Sequence, residues 1–146
     1  MKDFIPYGRQ SISSDDIDSV LKILESDYLT QGPTIAKFED AIIKKIGSNY
    51  AVCCNSATSA LHISCMALGI KRNDIVWTSP TSFVASANCA LYCGANIDFV
   101  DIDKKTGLIS IDKLAQKLEI ANSQNKLPSL LIPVHLSGSS CDINLY

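Results

Sequence analysis

Charge of one sign never accumulates in this sequence. Its 13 basic and 15 acidic residues are mixed along the chain and leave a net charge of −2. No basic stripe is available to follow a nucleic-acid backbone, so nucleic acid is not an expected partner. No stretch approaches the roughly 18 apolar residues that a membrane-crossing helix needs. The opening Met1-Lys2-Asp3-Phe4-Ile5-Pro6-Tyr7 lacks the charged-then-apolar layout of a signal peptide, so the expected location is cytoplasmic. Internal repeats and low-complexity linkers are missing too. None of the six cysteines (Cys53, Cys54, Cys65, Cys89, Cys93, Cys141) forms a C-x-x-C pair, and His62 and His135 are not grouped with them. Cys53 and Cys54 would face opposite ways on a strand, while Cys89 and Cys93 would share a helix face. The cysteines are read as small buried hydrophobes of a reducing compartment, and no metal is expected.

What is present is enough for one ordinary domain: 146 residues, 47% hydrophobic and only 19% charged. Ser13 or Ser14 can cap a first helix whose start carries Asp15, Asp16 and Asp18, and Ile17, Val20, Leu21 and Leu24 form one apolar stripe on it. A polar loop, Ser26 to Pro33, leads into a second helix with Ile35, Phe38, Ile42 and Ile46 turned inward and Gly47 as its stop. The pattern then alternates. Strands are expected at Tyr50 to Cys54, Ile75 to Thr78, Ile97 to Val100 and Leu130 to Val134. Helices are expected at Ser56 to Leu68, Thr81 to Tyr92 and Ser110 to Glu119. Such alternation indicates crossover units and an α/β fold with a mainly parallel sheet flanked by helices. The helix from Ser56 to Leu68 carries no charge at all and should be buried nearly all round.

Three places could carry chemistry. Asn55-Ser56-Ala57-Thr58-Ser59 lies where a strand turns into a helix. Unpaired first-turn N–H groups and the helix dipole favour an anion there, and the hydroxyls can donate to a phosphate. Plain helix capping by Asn55 or Ser56 explains the same residues. Thr78-Ser79-Pro80-Thr81-Ser82-Phe83 follows the next strand. Phe83, in the first turn of its helix, either stacks on a flat ring or belongs to the core. Asp101 and Asp103 precede Lys104-Lys105-Thr106-Gly107 and read as solvated turn residues. His135, after the last strand, is weak evidence for a ligand site.

Six segments, in order, resemble the DegT/DnrJ/EryC/StrS family of pyridoxal-phosphate (PLP) sugar aminotransferases. They are Phe4-Ile5-Pro6-Tyr7 with Leu29-Thr30-Gln31-Gly32-Pro33, Phe38-Glu39, Asn55 to Leu61, Ser79 to Asn88, Val100 to Asp103, and Pro133 to Gly138. The turn Asn-Ser-Ala-Thr-Ser-Ala-Leu is most similar to that of enzymes of pseudaminic acid synthesis. The resemblance implies the PLP-dependent type I aminotransferase large domain, present in part. Residues 1–34 would form an N-terminal arm, first helix and substrate loop, and residues 35–146 an incomplete PLP-binding large domain, with the C-terminal small domain absent. Ser56, Ala57 and Thr58 would hold the PLP phosphate, and Phe83 would stack on its ring. Tyr7, Asp27, Tyr28, Leu29 and Thr30 would meet the substrate. That substrate would be a UDP-linked 4-keto-6-deoxy-N-acetyl sugar, aminated at C4 with an amino acid, glutamate by family expectation, as donor. A homodimer is expected of the full enzyme. None of the chain's lysines sits in the family's Ser-Phe-x-x-x-Lys setting, so these residues alone are expected to be inactive and poorly stable. Two alternatives stand beside this reading: a family member with histidine for that lysine, which dehydrates the sugar, and a non-catalytic α/β module that binds a phosphorylated ligand.

Overall fold

The computed structural model describes Pro6 and residues 8–142. The chain divides into two compact units, one running to Cys53 and one starting at Cys54.

The first unit holds two helices. α1 (Ser14–Leu24) starts at Ser13, whose hydroxyl accepts the Asp16 N–H while the Asp16 carboxylate accepts the Ser13 N–H in return. This reciprocal pairing satisfies two otherwise orphaned donors. It also holds the Asp16 carboxyl below the usual carboxylate range. α2 (Pro33–Ile46) opens on proline, where the missing N–H costs nothing, and closes on Gly47 in the left-handed region at φ 70°. The helices lie where periodicity puts them, but their apolar faces are not buried. Ile17, Val20, Leu21 and Leu24 are all exposed, as are Ile35, Phe38 and Ile46 of the stripe expected to turn inward; only Ile42 is half-buried.

The second unit is a three-layer α/β arrangement. Its elements are α3 (Ala57–Ala67), β1 (Ile75–Thr78), α4 (Ala85–Tyr92), β2 (Asn96–Phe99), α5 (Ile111–Ser123), β3 (Leu130–Ile132) and a single 3-10 turn at Leu136–Gly138. The strands are parallel in the order β2-β1-β3. Val76 lies opposite Ile97 and Leu130, and Thr78 opposite Phe99 and Ile132. Alternate residues serve opposite faces, as the two-residue period of a strand requires. Val76, Leu130 and Ile132 pack with Leu61 and Cys65 of α3 and Cys89 and Ala90 of α4. Ile75, Trp77 and Leu131 pack on the other face with Leu114, Leu118 and Ala121 of α5. β1 feeds β2 on one side, and the chain then crosses to β3 on the other. The strand order therefore reverses beside the C-terminal end of β1, the kind of position where open parallel sheets form a ligand crevice.

Further expectations need correction. Residues 50–54 form no strand: a ladder needs a partner, and the Cys53 N–H donates to Glu39 Oε1 at 2.8 Å instead. α4 starts at Ala85 rather than Thr81. Pro80 disfavours helix in Ser79 before it, and Ser79 and Ser82 bond locally to the carbonyls of Thr81 and Phe83, which competes with helix formation. β3 ends at Ile132, two residues short of Val134, and β2 is shifted one residue toward the N-terminus. The uncharged α3 is not buried all round: Cys65 is its only buried residue, and Ile63, Met66 and Leu68 are exposed.

Candidate functional site

The candidate site is built on the start of α3. Ser56 is the N-cap, with extended backbone and a hydroxyl that accepts the Ser59 N–H at 3.1 Å. The Ser59 hydroxyl donates to Asn55 Oδ1 at 2.8 Å, and the Ser56 hydroxyl donates to Ser59 Oγ at 3.1 Å. Asn55, Ser56 and Ser59 thus form a closed polar cluster that fixes the turn. The Ala60 N–H is taken by the Ser56 carbonyl at 3.0 Å. The N–H groups of Ala57 and Thr58 and the Thr58 hydroxyl have no partner among the described residues. Three donors at the positive end of a helix are an arrangement that favours an anion. Ser56 caps the helix, as the capping reading expects, while Ala57 and Thr58 keep donors without a partner among the described residues. Asn55 and Ser59 complete the turn, and the run of small residues from Asn55 to Ser59, polar except for Ala57, is the sequence signal for their part in it.

α3 is held to the sheet through α4. Leu61 and Cys65 pack with Cys89, Ala90 and Val76. Burial pushes the Cys65 thiol up to about 12, with further contributions from Cys89 and Cys93, so it stays a neutral packing group. Cys65, Cys89 and Cys141 are buried, Cys54 and Cys93 half-buried, and Cys53 exposed; none is paired. Among the described residues no group of three or more His, Cys, Asp or Glu is placed to hold a metal.

Phe83 lies just before α4, not in its first turn, on the loop that leaves β1. Its carbonyl accepts the Ser86 N–H at 3.0 Å. The residue is 74% exposed, so it is not part of the core formed by the described residues. Thr78, at the end of β1 that this loop leaves, donates through Oγ1 to the Ile132 carbonyl at 2.8 Å and ties the ends of β1 and β3 together.

The remaining candidates separate cleanly. Asp103 closes the turn that follows β2: its carboxylate accepts the N–H groups of Lys105 and Thr106, which hold its carboxyl below the usual range. Asp101 bonds its neighbour Ile102 N–H. Asp103 is a turn residue, as expected, while Asp101 is exposed and stands just before the Ile102–Ile109 bridge, its carbonyl accepting the Ser110 N–H. His135 Nδ1 accepts the Cys141 N–H at 2.9 Å, so that nitrogen is engaged in structure. Sequence reasoning missed Lys117, whose ammonium bonds Asp98 at 2.7 Å and the Phe99 carbonyl at 2.6 Å and lies 4.9 Å from the Trp77 ring centre. Burial alone would raise the Asp98 carboxyl, but the Lys117 bond brings it below its ordinary value. No sequence signal marks this cluster, because its members come from three elements.

Asp27, Tyr28, Leu29 and Thr30 lie in the first unit, in the loop between α1 and α2, and all four are exposed. Tyr7 lies outside the described residues. No helix among the described residues is long and apolar enough to cross a membrane.

The chain is 46% identical over 114 residues to the UDP-4-amino-4,6-dideoxy-N-acetyl-beta-L-altrosamine transaminase of Campylobacter jejuni, covering 78% of this chain and 30% of that one. Its fold superposes on Spr1654 of Streptococcus pneumoniae, a putative sugar aminotransferase, in the PLP form with a TM-score of 0.85 at 28% identity, over 97% of this chain and 34% of that chain. It superposes on PseC of Helicobacter pylori, an aminotransferase involved in pseudoaminic acid biosynthesis, with a TM-score of 0.84 at 29% identity, over 96% of this chain and 36% of that chain. The chain spans about a third of the length of the curated relatives it matches. The sequence profile of the DegT/DnrJ/EryC1/StrS aminotransferase family matches residues 10–145, and the chain belongs to that family.

Proposed function

We propose that this chain supplies the phosphate-binding turn, the ring-stacking aromatic and a substrate loop of a PLP-dependent nucleotide-sugar aminotransferase. The enzyme transfers an amino group from an amino-acid donor, glutamate for preference, to the C4 keto group of a UDP-linked 4-keto-6-deoxy-N-acetyl sugar. Residues 1–34 serve as N-terminal arm, first helix and substrate loop, residues 35–146 as part of the PLP-binding domain, and the whole enzyme works as a homodimer. The observation that carries this is the start of α3, where two backbone N–H groups and the Thr58 hydroxyl stand unpaired among the described residues. The activities of the Campylobacter and Helicobacter relatives support the choice of sugar.

The residues fit the cofactor. Ala57 and Thr58 bind its phosphate through backbone N–H groups, and the Thr58 hydroxyl adds a third bond. Ser56 holds the turn in shape as its cap. The exposed Phe83 ring covers one face of the pyridine and keeps water from it. When bound, PLP supplies the electron sink that lets an amino group move. Tyr7 and residues 27–30 contribute to holding the nucleotide-sugar. No lysine of residues 1–146 stands in the expected setting, so this chain alone binds without turning over.

The test is the coding sequence that follows Tyr146, joined to an assay of its product. A lysine in a Ser-Phe-x-x-x-Lys setting, and glutamate-dependent amination of the keto-sugar, support the proposal. A histidine at that position, with loss of water from the sugar, moves the chain to the dehydratase reading.

A further inference from the structure

We propose that Gly32 and Ser26 are positioning residues that hold Tyr28 as a fixed aromatic platform for the flat face of a nucleotide-sugar. The inference rests on the assignment of residues 27–30 to the substrate loop.

Glycine at position 32 is not required by the backbone. Its φ of −79° and ψ of 176° are extended values that any residue adopts. The left-handed position of this loop is filled by Gln31, at φ 52°. What position 32 requires is space. A Cβ there would sit 2.7 Å from Tyr28 Cβ and 3.4 Å from the Tyr28 carbonyl oxygen. Tyr28 Cβ is the stem of its side chain and cannot swing aside, so any larger residue at 32 moves the Tyr28 backbone. In addition, Ser26 Oγ accepts the Tyr28 N–H at 3.3 Å and donates to the Ile23 carbonyl at 2.8 Å, which anchors that hydroxyl to the last turn of α1.

The stem of Tyr28 is thus held in two ways, while the residue is 59% exposed. No ring, cation or hydrogen-bond partner meets its side chain among the described residues. An aromatic ring with a fixed root and a free face loses little freedom on stacking against another flat surface. Two parts of a nucleotide-sugar offer one: the nucleobase and the apolar face of the sugar ring. The shared chemistry is stacking, and the ligand class is a nucleoside-diphosphate sugar.

The first arm of the test needs no ligand. In the wild-type chain, nuclear Overhauser contacts should join the Gly32 Hα to the Tyr28 Hβ protons, and Gly32→Ala should shift the Tyr28 resonances. Absence of both overturns the proposal. The second arm measures binding of UDP and, separately, of free N-acetylglucosamine to the same chain. Gly32→Ala should weaken the stacking ligand roughly five- to ten-fold, as loss of one aromatic stack does. Ser26→Ala, which adds no atoms, should act in the same direction but less. In a Tyr28→Gly background the clash is gone, and Gly32→Ala should have no further effect. Ser110→Ala, which removes the cap of α5 outside residues 1–34 and outside the phosphate turn, should leave affinity unchanged and so separates positioning from plain stability. UDP alone responding identifies the base as the stacked face; the free sugar alone responding identifies the sugar. Equal affinity of wild type and Gly32→Ala overturns the positioning role while the substrate loop stands. A wild-type chain that binds neither ligand overturns the substrate-loop assignment and this proposal together.

Discussion

The two units use the same apolar residue types to opposite ends. In the second, Val76 and Cys89 are completely enclosed and Trp77 is 2% exposed, each pinned between the sheet and a helix. In the first, α1 and α2 bury no residue, and Val20 is 59% exposed. A helical stripe states which residues belong on one face; it does not supply a layer to cover that face. The parallel sheet carries its own covers, because each crossover brings a helix back onto it.

The comparison breaks most visibly at its core. Trp77→Ala removes the largest buried side chain on the α5 face and should cost about 3–5 kcal/mol. Val20→Ala on the open stripe of α1 should cost no more than about 0.5 kcal/mol. Urea unfolding followed by far-ultraviolet circular dichroism measures both, and equal effects would erase the distinction between the units. Lys117→Met tests the surface of the same face. It removes the bond to Asp98 and the contact with Trp77, and should cost about 1 kcal/mol in the same measurement, with the effect shrinking in high salt.

A smaller effect sharpens the contrast through pH. The folded state holds the Cys65 thiol protonated up to about 12, against 9.0 for a free thiol. That contribution is fully present below pH 9 and is lost as pH rises from about 9 to about 12. Thermal melts over that window should show an alkaline loss in the second unit that Cys65→Ala reduces. The cap of α1 gives a local effect only. Ser13→Ala should cost about 1 kcal/mol of local helix stability, read as faster amide exchange in residues 14–17.

Local chemistry was legible in the sequence wherever the chain settles its own structure. Ser13, Pro33 and Gly47 marked helix ends, Ile75 to Thr78 gave β1 to the residue, and the run of small residues from Asn55 marked the turn at the start of α3. What depended on neighbours was not legible. Residues 50–54 have the composition of a strand but no ladder partner among the described residues. α3 has the composition of a fully buried helix, yet the second unit covers only the side bearing Cys65. Within the site, the sequence offered Ser56 as a phosphate donor. In this structure the Ser56 hydroxyl bonds within the turn, to Ser59 and Asn55, while the Thr58 hydroxyl has no partner among the described residues.

That division of labour is the central claim, and a PLP titration tests it directly. The wild-type chain should bind PLP in a manner that inorganic phosphate competes away. Thr58→Val, which keeps the shape of the side chain and removes the hydroxyl, should weaken binding by roughly ten-fold or more, as expected for one hydrogen bond to a charged group. Undiminished affinity in Thr58→Val, or PLP binding that phosphate does not displace, would contradict the account.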